Sequence, residues 1–247
     1  MTGIRDSDVA FVTNTRHTPW LAHSQSALAE TFPGSRRIVI DGTRNWPEDW
    51  FRWIKKVKRA PERWVCLVDE DCFVCSRDVV AGVVERMCAT GAAVAGVPDG
   101  FYVPRGFNEL AMNPFFLVVD REQMRDAMRR VPRWRALSAR PEWFDRVHYP
   151  WSPDIRRAAV EYEPFYCFFW LFFEAGMSQL YLYPHEDTRF ANEEGLFPAT
   201  TVRLAPGEQD VCVHLWYSRE WDTPPHRERY RKAANWLDAG RPPGWAP

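Results

Sequence analysis

With 247 residues, 46% of them hydrophobic and 15% aromatic, the chain has apolar side chains enough for a substantial core in one large or two small domains. A formal net charge of −1, with Arg far outnumbering Lys, supplies no strong overall field for nucleic acid or anionic membranes. No apolar stretch reaches the roughly 18 to 20 residues of a membrane span. The opening Met1-Thr2-Gly3-Ile4-Arg5-Asp6 has no apolar signal core, so a cytoplasmic protein is expected.

In chain order, Val9 to Thr13 reads as a strand, and Trp20 to Thr31 carries helical periodicity up to the stop signal Phe32-Pro33-Gly34. Arg37 to Gly42 is a second strand, ending in an acid and a glycine. Trp50 to Lys58 places Trp50, Trp53, Ile54 and Val57 on one helical face, and Trp64 to Val68 follows as an apolar strand. Asp78 to Thr90 predicts a helix closed by Gly91, Ala92 to Val97 and Pro114 to Asp120 two more strands, and Arg121 to Arg130 a charged helix. From Val131 to Pro153 the pattern decays into Pro, Trp and Arg. Glu163 to Ala175 predicts an aromatic helix, Gln179 to Tyr183 and Val211 to Tyr217 two strands, and Pro224 to Ala239 a polar terminal helix before a Pro-rich tail. This alternation predicts an α/β fold with a mostly parallel sheet covered on both faces.

Of the six cysteines, Cys66, Cys88, Cys167 and Cys212 fall in apolar patterns and are expected as buried thiols. Cys72-Phe73-Val74-Cys75 has no second CxxC to complete a structural zinc site.

The stretch Val68-Asp69-Glu70-Asp71-Cys72 sets three acids at a strand end with no basic residue between Trp64 and Val74. Ionised carboxylates beside a core need solvent, a partner or a cation. Ligands of open α/β sheets collect beyond the carboxyl ends of the strands, so Thr13, Asn14, Thr15, Asp41 and the three acids are expected to share one crevice. Asp-x-Asp there can hold a hard divalent cation, leaving positions for water and phosphate oxygens.

At these residues, Val65-Cys66-Leu67-Val68-Asp69-Glu70-Asp71, the chain resembles the GT-A glycosyltransferases, in which an apolar strand runs into Asp-x-Asp after a nucleotide-binding half. The resemblance covers most of residues 8 to 221. It implies a single GT-A-like α/β/α sandwich over 1–247: a nucleotide-sugar-binding half over about 8–97, an acceptor-side half over about 98–221, and a terminal helix and tail over 222–247. It further implies a hexosyltransferase-like enzyme transferring a sugar from a nucleoside diphosphate-sugar to a saccharide or other hydroxyl-bearing acceptor. Asp69 and Asp71 would be the metal ligands, with Asp69 nearer the ribose or a metal-bound water.

Glu161-Tyr162-Glu163-Pro164 ahead of an aromatic helix is similar to the acceptor side of that family, which implicates Glu163 or Glu161 as catalytic base. Helix N-terminal acids favoured by the dipole are the structural alternative. In Val211-Cys212-Val213-His214-Leu215-Trp216-Tyr217-Ser218-Arg219-Glu220-Trp221, the order of His214, Arg219 and Trp221 resembles a late metal-binding His followed by a diphosphate loop. A His ligand favours Mn²⁺ over Mg²⁺. Trp134, Trp143 and Trp151 are either core or groove-lining, and Asn108 and Asn113 either bond a donor hydroxyl or make a turn. Two other readings stay open: a non-catalytic nucleotide-sugar-binding module, and a phosphoryl-transfer enzyme using the same acids. The latter chemistry wants Thr or Val where Phe73 stands.

Overall fold

The computed structural model describes residues 4–43, 48–99, 108–147, 163–195, 198–216 and 220–238. Six strands form a sheet in the order β2 (Arg36–Asp41), β1 (Val9–Thr15), β3 (Trp64–Val68), β6 (Asn108–Asp120), β5 (Ala92–Asp99), β7 (Ser178–Tyr181). β1 pairs parallel with β2 and β3, and β5 with β7, whereas β6 opposes both its neighbours. The expected α/β fold with a mostly parallel central sheet is therefore present. A second, antiparallel sheet has the order β4 (Cys72–Val74), β10 (Asp210–His214), β9 (Ala199–Arg203), β8 (Tyr183–Asp187).

Alternation along the strands sorts side chains onto two faces. Val65 and Leu67 of β3 join the core under α2 (Glu48–Arg59), α4 (Arg121–Arg130) and α5 (Cys167–Glu174). Trp64, Cys66 and Val68 join the other core, under α1 (Trp20–Thr31) and α3 (Arg77–Thr90). α5 is buried all round from Cys167 to Phe173, which accounts for a helix with no polar stripe. A third cluster packs α6 (Pro224–Asp238) and Trp20 against β4 and β10.

Several boundaries differ from the sequence expectation, each for a physical reason. β6 starts at Asn108 rather than Pro114, because Pro114 falls where the register jumps from Gly96↔Leu117 to Val97↔Asn113, an irregularity that needs no donor from a proline. α5 starts at Cys167, residues 163–166 forming turns ahead of it. The strand expected over Gln179 to Tyr183 is two strands in different sheets, divided at Leu182, whose N–H donates to the Gly96 carbonyl at 2.8 Å. Cys88 is exposed rather than buried, being one residue round from the inward-facing Met87 on α3; Cys66, Cys167 and Cys212 are buried as expected, and none of the six is in a disulfide. Trp134 and Trp143 are core, Trp143 stacking on Phe173 with ring centroids 5.4 Å apart, and Trp151 lies outside the described residues.

Asp120 joins β6 to α4. It is fully buried, accepts from the N–H groups of Glu122 (2.9 Å) and Gln123 (3.2 Å), and pairs with Arg63 at 2.8 Å. Asp120→Ala removes the cap and leaves Arg63 without its buried partner, so unfolding free energy should fall by about 2–4 kcal/mol. Urea denaturation checks this, the midpoint shifting at unchanged slope.

Candidate metal centre

The acids Asp69, Glu70 and Asp71 occupy the corner between the two sheets: β3 ends at Val68 and β4 begins at Cys72. Backbone bonds fix the corner on both sides. Asp69 N–H donates to the Phe115 carbonyl (2.9 Å), prolonging the β3–β6 ladder, and Leu215 N–H donates to the Asp71 carbonyl (3.1 Å), prolonging β4–β10. His214 is the β10 residue in register with Cys72, so strand pairing alone delivers its imidazole to Asp71.

The three acids have different surroundings. Glu70 is buried and turned towards the loop after β1, where its carboxylate accepts from the Thr15 hydroxyl (2.6 Å) and the N–H groups of Arg16 (3.2 Å) and Thr18 (3.3 Å). Asp71 is buried against His214 Nε2 (Oδ1, 3.2 Å) and the Tyr230 hydroxyl (Oδ2, 3.2 Å). Burial alone would push the Asp71 carboxyl up; the charge and hydrogen bond of His214 and the Tyr230 hydroxyl outweigh it and hold the group below the usual carboxylate range. Tyr230 is pushed the other way, by burial first and then by the Asp71 charge, so its hydroxyl keeps its proton. That single proton is shared between Asp71 and the Trp216 carbonyl, 2.8 Å away. Asp69 is half-buried at the mouth of the corner.

Ligand atoms of Asp69, Asp71 and His214 all lie within 4.8 Å of one another. A divalent cation about 2.1 Å from each ligand spaces adjacent octahedral ligands about 3.0 Å apart and opposite ones about 4.2 Å, with larger ions reaching about 5 Å. The 3.2 Å contact between His214 Nε2 and Asp71 is therefore also the spacing of two adjacent ligands. His214 is buried and stacked on Phe115 (centroids 4.2 Å apart, 9° between planes), and its Nδ1 has no hydrogen-bond partner among the described residues. Two carboxylates and an imidazole at this spacing fit a divalent metal.

Two non-glycine residues adopt left-handed backbone beside the corner, His17 and Trp216, both at φ 63°. Such geometry costs of order 1–3 kcal/mol and persists only where the surroundings impose it. Trp216 is held by its indole N–H to Thr200 (2.7 Å) and by its carbonyl to Tyr230, and its turn ends β10 at His214, short of the expected Tyr217. His17 donates its N–H to the Thr15 hydroxyl (2.8 Å) and puts Nε2 3.3 Å from Asp41.

The remaining predicted residues fall as follows. Asp41, at the end of β2, accepts from the hydroxyl (2.6 Å) and N–H (2.9 Å) of Thr43, and these bonds hold its carboxyl down at about 2. Thr13 and Thr15 share one face of β1, Thr13 accepting from Gln25 at 2.9 Å. Asn14 points the other way, towards Gly42, where a Cβ would come within 2.4 Å of Asn14 Oδ1. The β1, β2 and β3 ends lie side by side. Glu163 is half-buried in the turns before α5, its carbonyl accepting from Tyr166 N–H at 3.1 Å. Trp221 is exposed in the turn ahead of α6. Glu161 and Arg219 lie outside the described residues.

Three contributors carry little signal in the sequence: Glu70 is one acid of a trio, Tyr230 lies in a helix of polar composition, and Asp99, at the end of β5, belongs to no motif. Asp99 is buried, accepting from Asn113 Nδ2 (2.7 Å) and from the Tyr166 hydroxyl in a short bond. Asn113 therefore holds an acid, while Asn108 caps its own strand start by accepting from the N–H groups of Leu110 and Ala111. The inward face of α6 buries His226, Arg229 and Tyr230, Arg229 donating to the Leu215 carbonyl in a short bond.

No family model matches the sequence, and neither does any curated protein. Solved structures overlap part of it, a glycosyltransferase and a mannosyltransferase among them. A glycosyltransferase involved in the glycosylation of the major capsid of PBCV-1 overlaps at TM-score 0.34 and 11% identity, over 52% of this chain and 70% of that one. A mannosyltransferase from Pyrobaculum calidifontis, solved with GDP-Man and Mn²⁺, overlaps at TM-score 0.34 and 13% identity, over 50% of this chain and 46% of the other. S. aureus TarS 1–349, solved with UDP-GlcNAc, overlaps at TM-score 0.33 and 12% identity, over 48% and 46%. The chain spans about half the length of the last two. Overlaps this partial transfer neither a site nor an activity.

Glu70→Ala orphans a hydroxyl and two backbone donors in the loop that borders the corner. It should cost about 2–4 kcal/mol and speed amide exchange at Arg16 and Thr18 well beyond the change elsewhere. Exchange mass spectrometry of that peptide reads the outcome, and protection equal to the parent's would remove Glu70 from this role.

Proposed function

We propose that the chain is a metal-dependent glycosyltransferase that moves a sugar from a nucleoside diphosphate-sugar to a hydroxyl-bearing acceptor. The observation that supports it is the cluster of Asp69, Asp71 and His214 at the corner after β3, beside the polar ends of β1 and β2. A divalent metal bound there would act as Lewis acid on the departing diphosphate, and the imidazole ligand favours Mn²⁺. In this reading the chain is one domain with a donor half and an acceptor half.

The protein's own groups divide the work. Thr13, Asn14, Thr15 and Asp41 would take the base and ribose, with Asp69 between ribose and metal. Tyr230 and the Phe115 ring keep Asp71 and His214 in place and exclude water from behind them. Arg219 and Trp221 would lie over the diphosphate. Glu163, or Glu161, would take the proton of the acceptor hydroxyl.

Asp71→Ala and His214→Ala test the centre without any knowledge of the substrate. Both should weaken Mn²⁺ binding measured by electron paramagnetic resonance, and Asp71→Ala should abolish Mn²⁺-dependent binding of UDP or GDP while the circular dichroism spectrum stays that of the parent. His214→Ala should also shift preference towards Mg²⁺, which relies on oxygen ligands. Metal titrations identical to the parent's would refute the site.

Once a donor is in hand, Glu163→Gln should lower turnover by about 10²- to 10⁴-fold with donor affinity unchanged. Near-normal turnover, or product of retained configuration, would take the base role from Glu163.

A further inference from the structure

Strand β3 has a second polar end. At its start, the last turns of α2, the first turns of α4 and residues 134–135 surround a cavity of about 700 Å³. Among its described lining residues six are cationic, Lys55, Lys58, Arg59, Arg121, Arg125 and Arg135, and none is acidic. Helical spacing explains the convergence: Lys55, Lys58 and Arg59 repeat on one face of α2, and Arg121 and Arg125 on one face of α4.

These charges lack compensation. Among the described residues the sole carboxylate within ion-pair reach of the six is Glu122, 4.0 Å from Arg121. Arg121 is largely buried, and its Nε, shielded from solvent, has no hydrogen-bond partner among the described residues. Arg135 is held over the Phe51 ring (4.4 Å) and the Trp134 ring (5.4 Å), which fixes its guanidinium at the rim. Six like charges around a recess with apolar walls of Ile54, Met128 and Trp134 repel one another and focus a positive potential into it.

We propose that this cavity binds a multiply charged phosphate anion. Guanidinium groups match phosphate oxygens in bidentate pairs, and a multivalent anion relieves the repulsion that a single carboxylate would not. The volume suits a ligand the size of a nucleotide or phosphorylated metabolite. It is not the diphosphate position of the proposed reaction. Asp69 leaves the far end of β3, and five strand residues at about 3.3 Å each separate the two ends by about 17 Å. The source is expected to be a soluble phosphate ester, because Trp134 is buried in the wall rather than projecting towards a bilayer.

Calorimetric titration of the full chain with inorganic diphosphate, in EDTA so that the metal centre contributes nothing, tests the site. The parent and Asp71→Ala should bind with equal affinity. Lys58→Gln/Arg125→Gln, and separately Lys55→Gln/Arg59→Gln, should bind about tenfold or more weakly, and all four side chains are exposed, so both variants should keep the parent's melting temperature. Failure of the parent to bind, or equal affinity in the two cation-depleted variants, would overturn the proposal. Sedimentation with phosphatidate vesicles but not phosphatidylcholine vesicles, lost in the same variants, would support the site and reassign its phosphate to a lipid headgroup. The metal-dependent reading stands or falls separately, in the Mn²⁺ titrations.

Discussion

The corner after β3 is the constraint on which the site depends. Within three residues the chain leaves a six-stranded sheet and enters a four-stranded one, and all three residues are acids. Carboxylates at a buried turn stay ionised only where donors or cations meet them. Each acid meets a different part of the molecule: Glu70 the loop of β1, Asp71 the end of β10 and the α6 hydroxyl of Tyr230, Asp69 the mouth. The two sheets and the terminal helix are thereby tied to one point. A change that slipped the β4–β10 register by one residue would take His214 off Asp71 and turn its ring to the opposite face.

What could be read from the sequence follows from the range of the forces involved. β1, β2, β3, α1, α3 and α4 announce themselves because each buries a face against its own neighbours, and burial writes a period into the residues. The second sheet does so only at β10, within the predicted strand Val211 to Tyr217. Its strands are three to five residues long, and Ala199-Thr200-Thr201-Val202-Arg203 has too few apolar positions to show a period. The set proposed to bind metal is legible as chemistry, Asp-x-Asp at a strand end and a late His, although 143 residues separate His214 from Asp71. Tyr230 was not legible. Its partner lies 159 residues away, and the helix around it carries enough Arg, Lys and His to read as a solvated surface.

The same helix shows why composition misleads. Arg229 is wholly buried, yet it donates to the Leu215 carbonyl and to His226 Nδ1 at 3.0 Å, so its charge is spent on fixing the backbone next to His214. At the opposite end of β3, Lys55, Lys58 and Arg59 of α2 and Arg125 of α4 are exposed around a recess where, among the described residues, almost no carboxylate meets them. Counting charges along the chain gives −1 and hides both arrangements. The molecule is polarised along one strand, acids at its end and cations at its start, and an anion is met differently at each. At the acidic corner it needs a cation first; at the basic recess it does not.

Backbone strain at the corner bears on how a ligand would be held. Trp216 in the left-handed region is unfavourable for a bulky side chain by of order 1–3 kcal/mol, and so is His17. The fold offsets this locally, with the Thr200 and Tyr230 bonds to Trp216 and with the Phe115, His214 and Trp216 rings packed together. His214 and Asp71 are already within ligand spacing, so a metal bound there, as proposed, would not have to order them. A centre whose ligands are fixed during folding loses little further entropy on binding. Flexible side chains bringing the same three ligand groups together from an open surface would bind more weakly for that reason alone. Under the proposed function, the left-handed turn at Trp216 would serve to hold the imidazole two residues before it at ligand spacing from Asp71.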